Sequence, residues 1–267
     1  MKLDQTKLYQ MPFIMGPQYN KDPLPGLSYP QTENVVIQYQ TNYEAARNMV
    51  PECYTLDEKP TVTVIFGYHN GLEFLAGNGY SLATFQISAQ FKGEEKKIKG
   101  DYIPIMFENQ TLPILGGRDY LGVPKLFADI SPIKVMTDGS IRCEASFWGH
   151  FLFGIELPQL KKQNRVVKAM ASKQINSRPW LAYKYIPSLD GPPDADYPTS
   201  TRNDVKIKNL WMGKQAKVHF GSPTKDDIGT VVNVINALRT LEILKIEQVI
   251  HFQGSAVLRF DQSHRLR

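Results

Sequence analysis

The 267-residue chain is poor in the features that announce common chemistries. It has two cysteines, Cys53 and Cys143, with no CxxC pair and no histidine at metal-ligand spacing, which argues against a disulfide framework and a zinc site and leaves two buried thiols as the expectation. The five histidines, His69, His150, His219, His251 and His264, form neither HxH nor HExxH, so no metal is expected. The stretch Gly77-Asn78-Gly79-Tyr80 opens like a dinucleotide loop but lacks the third glycine, and no Walker lysine motif occurs. Gly79-Tyr80-Ser81-Leu82-Ala83 lacks the last glycine of a hydrolase elbow. No organic cofactor is expected either. Nowhere do about eighteen apolar residues run together, and MKLDQTKLYQMPFIMG has no signal-peptide core, so no membrane partner and a soluble, cytoplasmic protein are expected.

Charge is also unconcentrated. The formal balance is +5 with a pI near 9.0. The densest basic run, Lys92 to Lys99, is diluted by Glu94 and Glu95 and suits a solvated hairpin tip better than a phosphate track. Nucleic acid is therefore not expected as a partner. A mild positive charge favours encounter with small carboxylates.

What is present is a core. Hydrophobic residues make up 42% of the chain and aromatics 11%, with no low-complexity block or linker, which indicates one domain over residues 1–267. The proline-rich start, residues 1–33, reads as an extended arm. Asn34–Thr41 reads as a strand, Asn42 as the cap of a short helix ending before Pro51, and Thr61–Tyr68 as a strand closed by the turn residues His69-Asn70-Gly71. Ser81–Phe91 alternates cleanly, with Ala83, Phe85, Ile87, Ala89 and Phe91 on one face and Thr84, Gln86, Ser88 and Gln90 on the other, and reads as a strand packed on one side. Ile98–Phe107 follows as its partner, with Pro104 marking an edge or a bulge. Asp138-Gly139 signals a hairpin. The aromatics Phe147, Trp148, Phe151 and Phe153 fit a core cluster better than a binding site, with an apolar cavity lined by its inner half as the alternative. Leu160–Ala171 has amphipathic, partly helical spacing, and Trp180–Ile186 reads as a strand before an exposed loop over residues 188–204. Two strands over Asp204–Phe220, a helix over Asp227–Leu238 and a strand over Gln248–Phe260 complete the reading. Roughly eight to ten strands with few helices and no βαβ rhythm imply a β-rich α+β fold: a curved antiparallel or mixed sheet closing toward a barrel-like core with a few peripheral helices.

One stretch stands apart: Gly116-Gly117-Arg118-Asp119-Tyr120-Leu121-Gly122-Val123-Pro124-Lys125-Leu126-Phe127-Ala128-Asp129. It sets a single lysine in an apolar row. Burial of Lys125 would favour the neutral amine, a nucleophile whose natural electrophile is a carbonyl carbon. The same pattern also fits a lysine that lays its stem on the core and keeps its ammonium in water. Arg118 is suited either to a bidentate contact with an anionic substrate or to an ion pair with Asp119 or Asp129. Tyr80 is suited either to proton donation in a pocket or to packing.

This stretch resembles the signature of the acetoacetate decarboxylase family, in which a Gly-Arg-acidic triplet precedes a Pro-Lys. Val50-Pro51-Glu52, Lys99-Gly100-Asp101-Tyr102, Arg178-Pro179 and Lys184 to Gly191 resemble further family segments in the same order. The resemblance implies a barrel-like core holding the lysine, a homo-oligomer, and a lyase whose Lys125 forms a Schiff base with a β-keto acid and releases CO2 through an enamine. It implies a small keto acid as substrate. The sequence departs from the family at the second lysine, replaced by Leu126; at two glutamates, replaced by Leu82 and Ile65; and at an arginine, replaced near Thr32. These departures leave open an aldolase-dehydratase joining pyruvate to an aldehyde. They also leave open a binding protein without turnover, whose mark would be an exposed or ion-paired Lys125.

Overall fold

The computed structural model describes residues 26–93 and 97–267. The main strands are β1 (Leu27–Gln40), β2 (Thr61–Asn70), β3 (Tyr80–Lys92), β4 (Lys97–Glu108) and β5 (Lys125–Phe127), then β6 (Ile141–Phe147), β7 (His150–Leu157), β8 (Trp180–Ile186), β9 (Ala195–Gly213), β10 (Lys217–Phe220) and β11 (Lys245–Arg265). The helices used below are α1 (Thr111–Gly116), α2 (Arg165–Asn176) and α3 (Val231–Arg239). The large sheet runs β3-β2-β1-β11-β9-β8-β4, and β4 pairs again with β3, so the curved sheet returns on itself like a ring. Most of these pairs are antiparallel, while β8 and β5 meet β4 in parallel. The β-rich fold expected from the sequence is therefore present.

The ring wall is two-faced because side chains alternate along each strand. Val35 and Ile37 of β1, Val64 and Phe66 of β2, Phe85 and Ile87 of β3 and Phe107 of β4 point to one face and form the largest core cluster. A second sheet, ordered β10-β7-β6 and then Asp129–Ile130, covers them. Phe153 of β7 lies 5.2–5.6 Å, ring to ring, from Phe66, Phe85 and Phe107. The aromatic run thus feeds this core and not a cavity. Its other members form a hairpin tip, where Trp148 and Gly149 both adopt positive φ and Trp148 and Phe151 are exposed. The opposite face of the wall surrounds the site described below, and α2 packs on β9 at that face.

Several boundaries differ from the sequence reading. The arm expected over residues 1–33 lies outside the described residues up to residue 25, and from Leu27 onward it is already β1, paired with β2 and β11. Pro30 is tolerated there because the β11 register breaks between Tyr29 and Thr32. Pro104 likewise sits at a break in the β3–β4 register, the bulge that its missing N–H requires. The loop expected over 188–204 is strand from Ala195 onward, and Thr199, Ser200 and Thr201 are buried in it. Hydroxyl-rich composition reads as solvent-facing, but these residues lie between β8 and β11 with their backbone groups paired. The capping role of Asn42 matches: its side chain accepts from the N–H groups of Glu44 and Ala45.

Candidate active site

Lys125 is delivered by an unusual turn. The short helix α1 continues from Gly117 to Leu121 as one π-helical turn that ends at Gly122, whose φ is +74°. A side chain at Gly122 would meet Lys184 at 2.5 Å, so glycine is required on both counts. The turn is tied down from outside: Thr199 Oγ1 donates to Leu121 O at 2.7 Å, and Lys184 Nζ to Asp119 O at 2.5 Å. The chain then leaves through Pro124 into β5, where Lys125 pairs with Met106 and Leu126 with Phe107. Alternation puts Lys125 on the face shared by Met106 and Glu108, while Leu126 joins the core on the other face.

Lys125 is 7% exposed, which removes the solvent-reaching alternative. Its Nζ donates to Glu108 Oε1 at 2.7 Å and to Pro113 O at 3.0 Å. Glu108 is 1% exposed, and its second oxygen, Oε2, is buried without a hydrogen-bond partner. Burial pushes the Glu108 carboxyl above its ordinary range, against the pull of the lysine charge. Gly117 is what lets the amine lie here: a Cβ on it would stand 2.3 Å from Lys125 Cε and 2.7 Å from Nζ.

The pair opens onto a cavity of about 200 Å³. Near the lysine its wall is Tyr29, His69, Tyr80, Leu82, Met106 and Leu121. Tyr80 is buried, its hydroxyl is 3.5 Å from that of Tyr29, and its ring lies 5.2 Å from the His69 ring. His69 Nδ1 is buried without a hydrogen-bond partner. Burial, helped by the charge of Lys125, pushes the imidazole down to about 3, so it is neutral near pH 7.

Of the residues singled out in the sequence, Lys125 and Tyr80 share this cavity. Arg118 does not line it: the guanidinium is at the surface, and its Nη1 donates to the backbone carbonyl of Lys125 at 3.0 Å. A direct contact with substrate does not follow from that position; holding the lysine's backbone does. Thr32, Ile65 and Leu82 all line the cavity, whereas Leu126 faces away. The apolar replacements therefore change the site at Ile65 and Leu82 and not at Leu126. Ser81–Phe91 was expected to pack on one side only, yet Thr84 and Gln86 are as buried as their neighbours, because the polar face of β3 lines the cavity instead of meeting solvent. Sequence reasoning passed over Glu108 and took His69 for a turn residue. The available signal was the two-residue period, which sets Glu108 at the end of a strand on the same face as Met106. Among the described residues, no cluster of three or more His, Cys, Asp or Glu side chains is arranged to hold a metal, and no helix is long and apolar enough to cross a membrane.

Comparison with known proteins agrees with this architecture. The family model of acetoacetate decarboxylase (ADC) matches residues 10–263. Acetoacetate decarboxylase 1 of Bradyrhizobium diazoefficiens is 27% identical over 270 residues, covering 97% of this chain and 94% of the relative. The acetoacetate decarboxylase of Clostridium acetobutylicum is 27% identical over 186 residues, covering 66% and 68% of the two chains. Among solved structures, an acetoacetate decarboxylase superposes with a TM-score of 0.75 at 20% identity, covering 96% of this chain and 94% of that one. The enduracididine biosynthesis enzyme MppR, complexed with the condensation product of pyruvate and imidazole 4-carboxaldehyde, superposes with a TM-score of 0.70 at 16% identity, covering 98% and 97%. Those two likenesses speak to the fold. With the family model spanning nearly the whole length, the chain belongs to the acetoacetate decarboxylase family of enzymes.

Proposed function

We propose that this protein is a Schiff-base-forming carboxy-lyase acting on a β-keto acid. The observation that carries the reading is the buried Lys125–Glu108 pair, with one carboxylate oxygen unused, at the wall of a largely apolar cavity. A buried ion pair is a poor stabiliser, since desolvation offsets the Coulomb gain and apolar residues of similar volume do as well or better. Its presence is better accounted for by chemistry than by stability.

In this reading Glu108, whose proton affinity is raised by burial, takes the ammonium proton and leaves an amine. The Lys125 nitrogen bonds to the ketone carbon, and the ketone oxygen departs as water, leaving a protonated imine. The bond to the carboxylate carbon then breaks, its electron pair moves to the iminium nitrogen, and CO2 and an enamine result. Protonation of the enamine carbon and addition of water return the ketone product and Lys125. Glu108 is placed to return the proton through Oε2, and Tyr80 and Tyr29 supply further buried O–H groups on the cavity wall. His69 is too weak a base to carry a proton at pH 7. The apolar wall at Ile65 and Leu82 favours the step that converts a carboxylate into neutral CO2.

A second reading, aldol condensation with dehydration, uses the same lysine and is favoured by the likeness to MppR. A third, a binding protein without turnover, is favoured by the ion-paired state of Lys125. Assembly into a homo-oligomer belongs to the first reading, and the exposed Trp148–Phe151 tip offers apolar surface for it. Incubation with acetoacetate or with pyruvate, followed by borohydride and mass analysis of the Lys125 peptide against Lys125→Ala, separates the three. An adduct on Lys125 with CO2 release supports the lyase. An adduct only with pyruvate transfers the assignment to aldol chemistry, and no adduct with either overturns both enzyme readings.

A further inference from the structure

The cavity continues well past Lys125. Tyr80, Leu82, Thr84 and Gln86 follow one another on a single face of β3, and all four line it. Leu82 stands opposite Glu108, so at the usual strand rise Gln86 lies roughly 13 Å further along the wall. The lining changes character on the way. Around the lysine it is aromatic and aliphatic; at the far end it is Gln38, Thr63, Gln86 and Arg178, with α2 packed across.

Two features of that far end define a ligand. First, Gln86 is 4% exposed, and its Nε2 is buried without a hydrogen-bond partner. A buried donor left unmade is costly, so the position calls for an acceptor. The neighbouring amide Gln38 turns its Nε2 onto Thr63 Oγ1 at 3.3 Å, and no side chain, Gln38 included, accepts from Gln86 Nε2 among the described residues. Second, no uncompensated charge faces this end among the described residues. The Arg178 guanidinium is forked onto Asp101, with contacts of 2.6–3.1 Å, and also donates to Ser88 Oγ and Gly100 O. A carboxylate buried here would have no free counter-ion, whereas a neutral carbonyl oxygen would satisfy the amide at no such cost.

We propose that the far end is a second subsite, which receives an uncharged hydrogen-bond acceptor, an amide or ketone oxygen, at the distal end of a long keto acid whose reacting ketone meets Lys125. The proposal rests on the imine reading of Lys125 and names the substrate class for it. An extended chain advances about 1.2 Å per bond, so the two carbonyl groups are separated by on the order of ten bonds.

The test is borohydride trapping at Lys125 with methyl ketones of increasing length, each offered with a terminal amide and as its plain alkyl counterpart, in the native protein and in Gln86→Leu. Expected is an optimum near ten bonds, at which the amide half-saturates trapping at a concentration roughly three- to tenfold lower than the alkyl ketone, the range of one net hydrogen bond. The advantage disappears in Gln86→Leu, or in Gln86→Met should the leucine variant fail to fold. Equal trapping of amide and alkyl probes at every length, with short ketones still trapped, overturns the subsite while leaving the imine reading intact. Failure to trap any ketone, acetoacetate included, overturns the imine reading and the subsite with it.

Discussion

Leu82 on β3 and Glu108 on β4 are direct cross-strand partners, and both side chains face the Lys125 cavity. Leu82 occupies a position at which the family resemblance implies a glutamate. The carboxylate that Lys125 contacts thus stands on the neighbouring strand, with Glu108 Oε1 2.7 Å from Lys125 Nζ. This relationship makes a double exchange informative. Glu108→Leu alone leaves a buried ammonium without its partner and is expected to cost about 3–5 kcal/mol of stability or to force the amine neutral, with imine chemistry slowed at least ~100-fold. Leu82→Glu alone sets two carboxylates side by side in an apolar place and also destabilises. The double variant Leu82→Glu/Glu108→Leu is expected to recover most of the stability and a measurable part of the borohydride-trapping rate. Urea unfolding together with the trapping rate decides. A double variant no better than Glu108→Leu in either measure would show that the site needs its carboxylate on β4.

Gly117 bears on the amine by shape alone. Substitution by alanine would bring a methyl group within 2.3 Å of Lys125 Cε, and the lysine is the flexible member of that clash. The backbone φ of Gly117 is −69°, which any residue adopts, so the fold should survive. Gly117→Ala is therefore expected to lose at least ~100-fold in trapping rate through misplacement of the nitrogen, with an unchanged circular dichroism spectrum and a melting temperature within a few degrees of the native value. Retained trapping at the native rate would mean that the lysine reacts from a different position.

Arg178 offers a test of stability away from the amine. Its fork on Asp101 joins the start of β8 to β4, the one parallel contact between those strands, and its Nη2 also serves Ser88 Oγ and Gly100 O. Both partners are partly buried. Arg178→Ala strands the Asp101 carboxylate and is expected to cost about 1–3 kcal/mol. The double variant Arg178→Met/Asp101→Leu, which removes both charges, should be closer to native. Calorimetric melting of the two variants checks the ordering, and a double variant less stable than Arg178→Ala would refute it.

How much of this was legible beforehand depends on what each signal reports. Alternation gave β3, the Asp-Gly pair gave the hairpin at Asp138-Gly139, and the proline position gave the bulge at Pro104. Alternation does not say what the second face meets, which is why Thr84 and Gln86 read as solvent-facing when they line a cavity. The resemblance located Lys125 and the apolar substitutions at Ile65 and Leu82. Glu108 escaped because its pairing with Lys125 is a fact of parallel register between β4 and β5, set by the π turn between them, and no local pattern encodes a register. Arg118 was named for the chemistry of its head group; its actual partner, the Lys125 carbonyl, follows from how that turn closes.

The His69 imidazole gives the pH prediction. It lies between the Tyr29 and Tyr80 rings, at 4.9 and 5.2 Å, and its Nδ1 has no hydrogen-bond partner. Burial and the nearby lysine charge hold it at about 3, against 6.5 for the unrestrained side chain. Between those values the unfolded chain binds a proton that the folded protein refuses, so stability rises with pH across this window. The contribution is fully present above pH 6.5 and is lost progressively as the pH falls toward 3. Between pH 7 and pH 5 the loss attributable to His69 is about 2 kcal/mol. His69→Phe keeps a ring in the aromatic cluster and removes the titration. Urea unfolding at both pH values is expected to show a drop smaller by about 2 kcal/mol in His69→Phe than in the native protein. Equal drops in the two proteins would mean that His69 takes up a proton in the folded state near its ordinary pH, and that the cavity beside Lys125 is wetter than its lining implies.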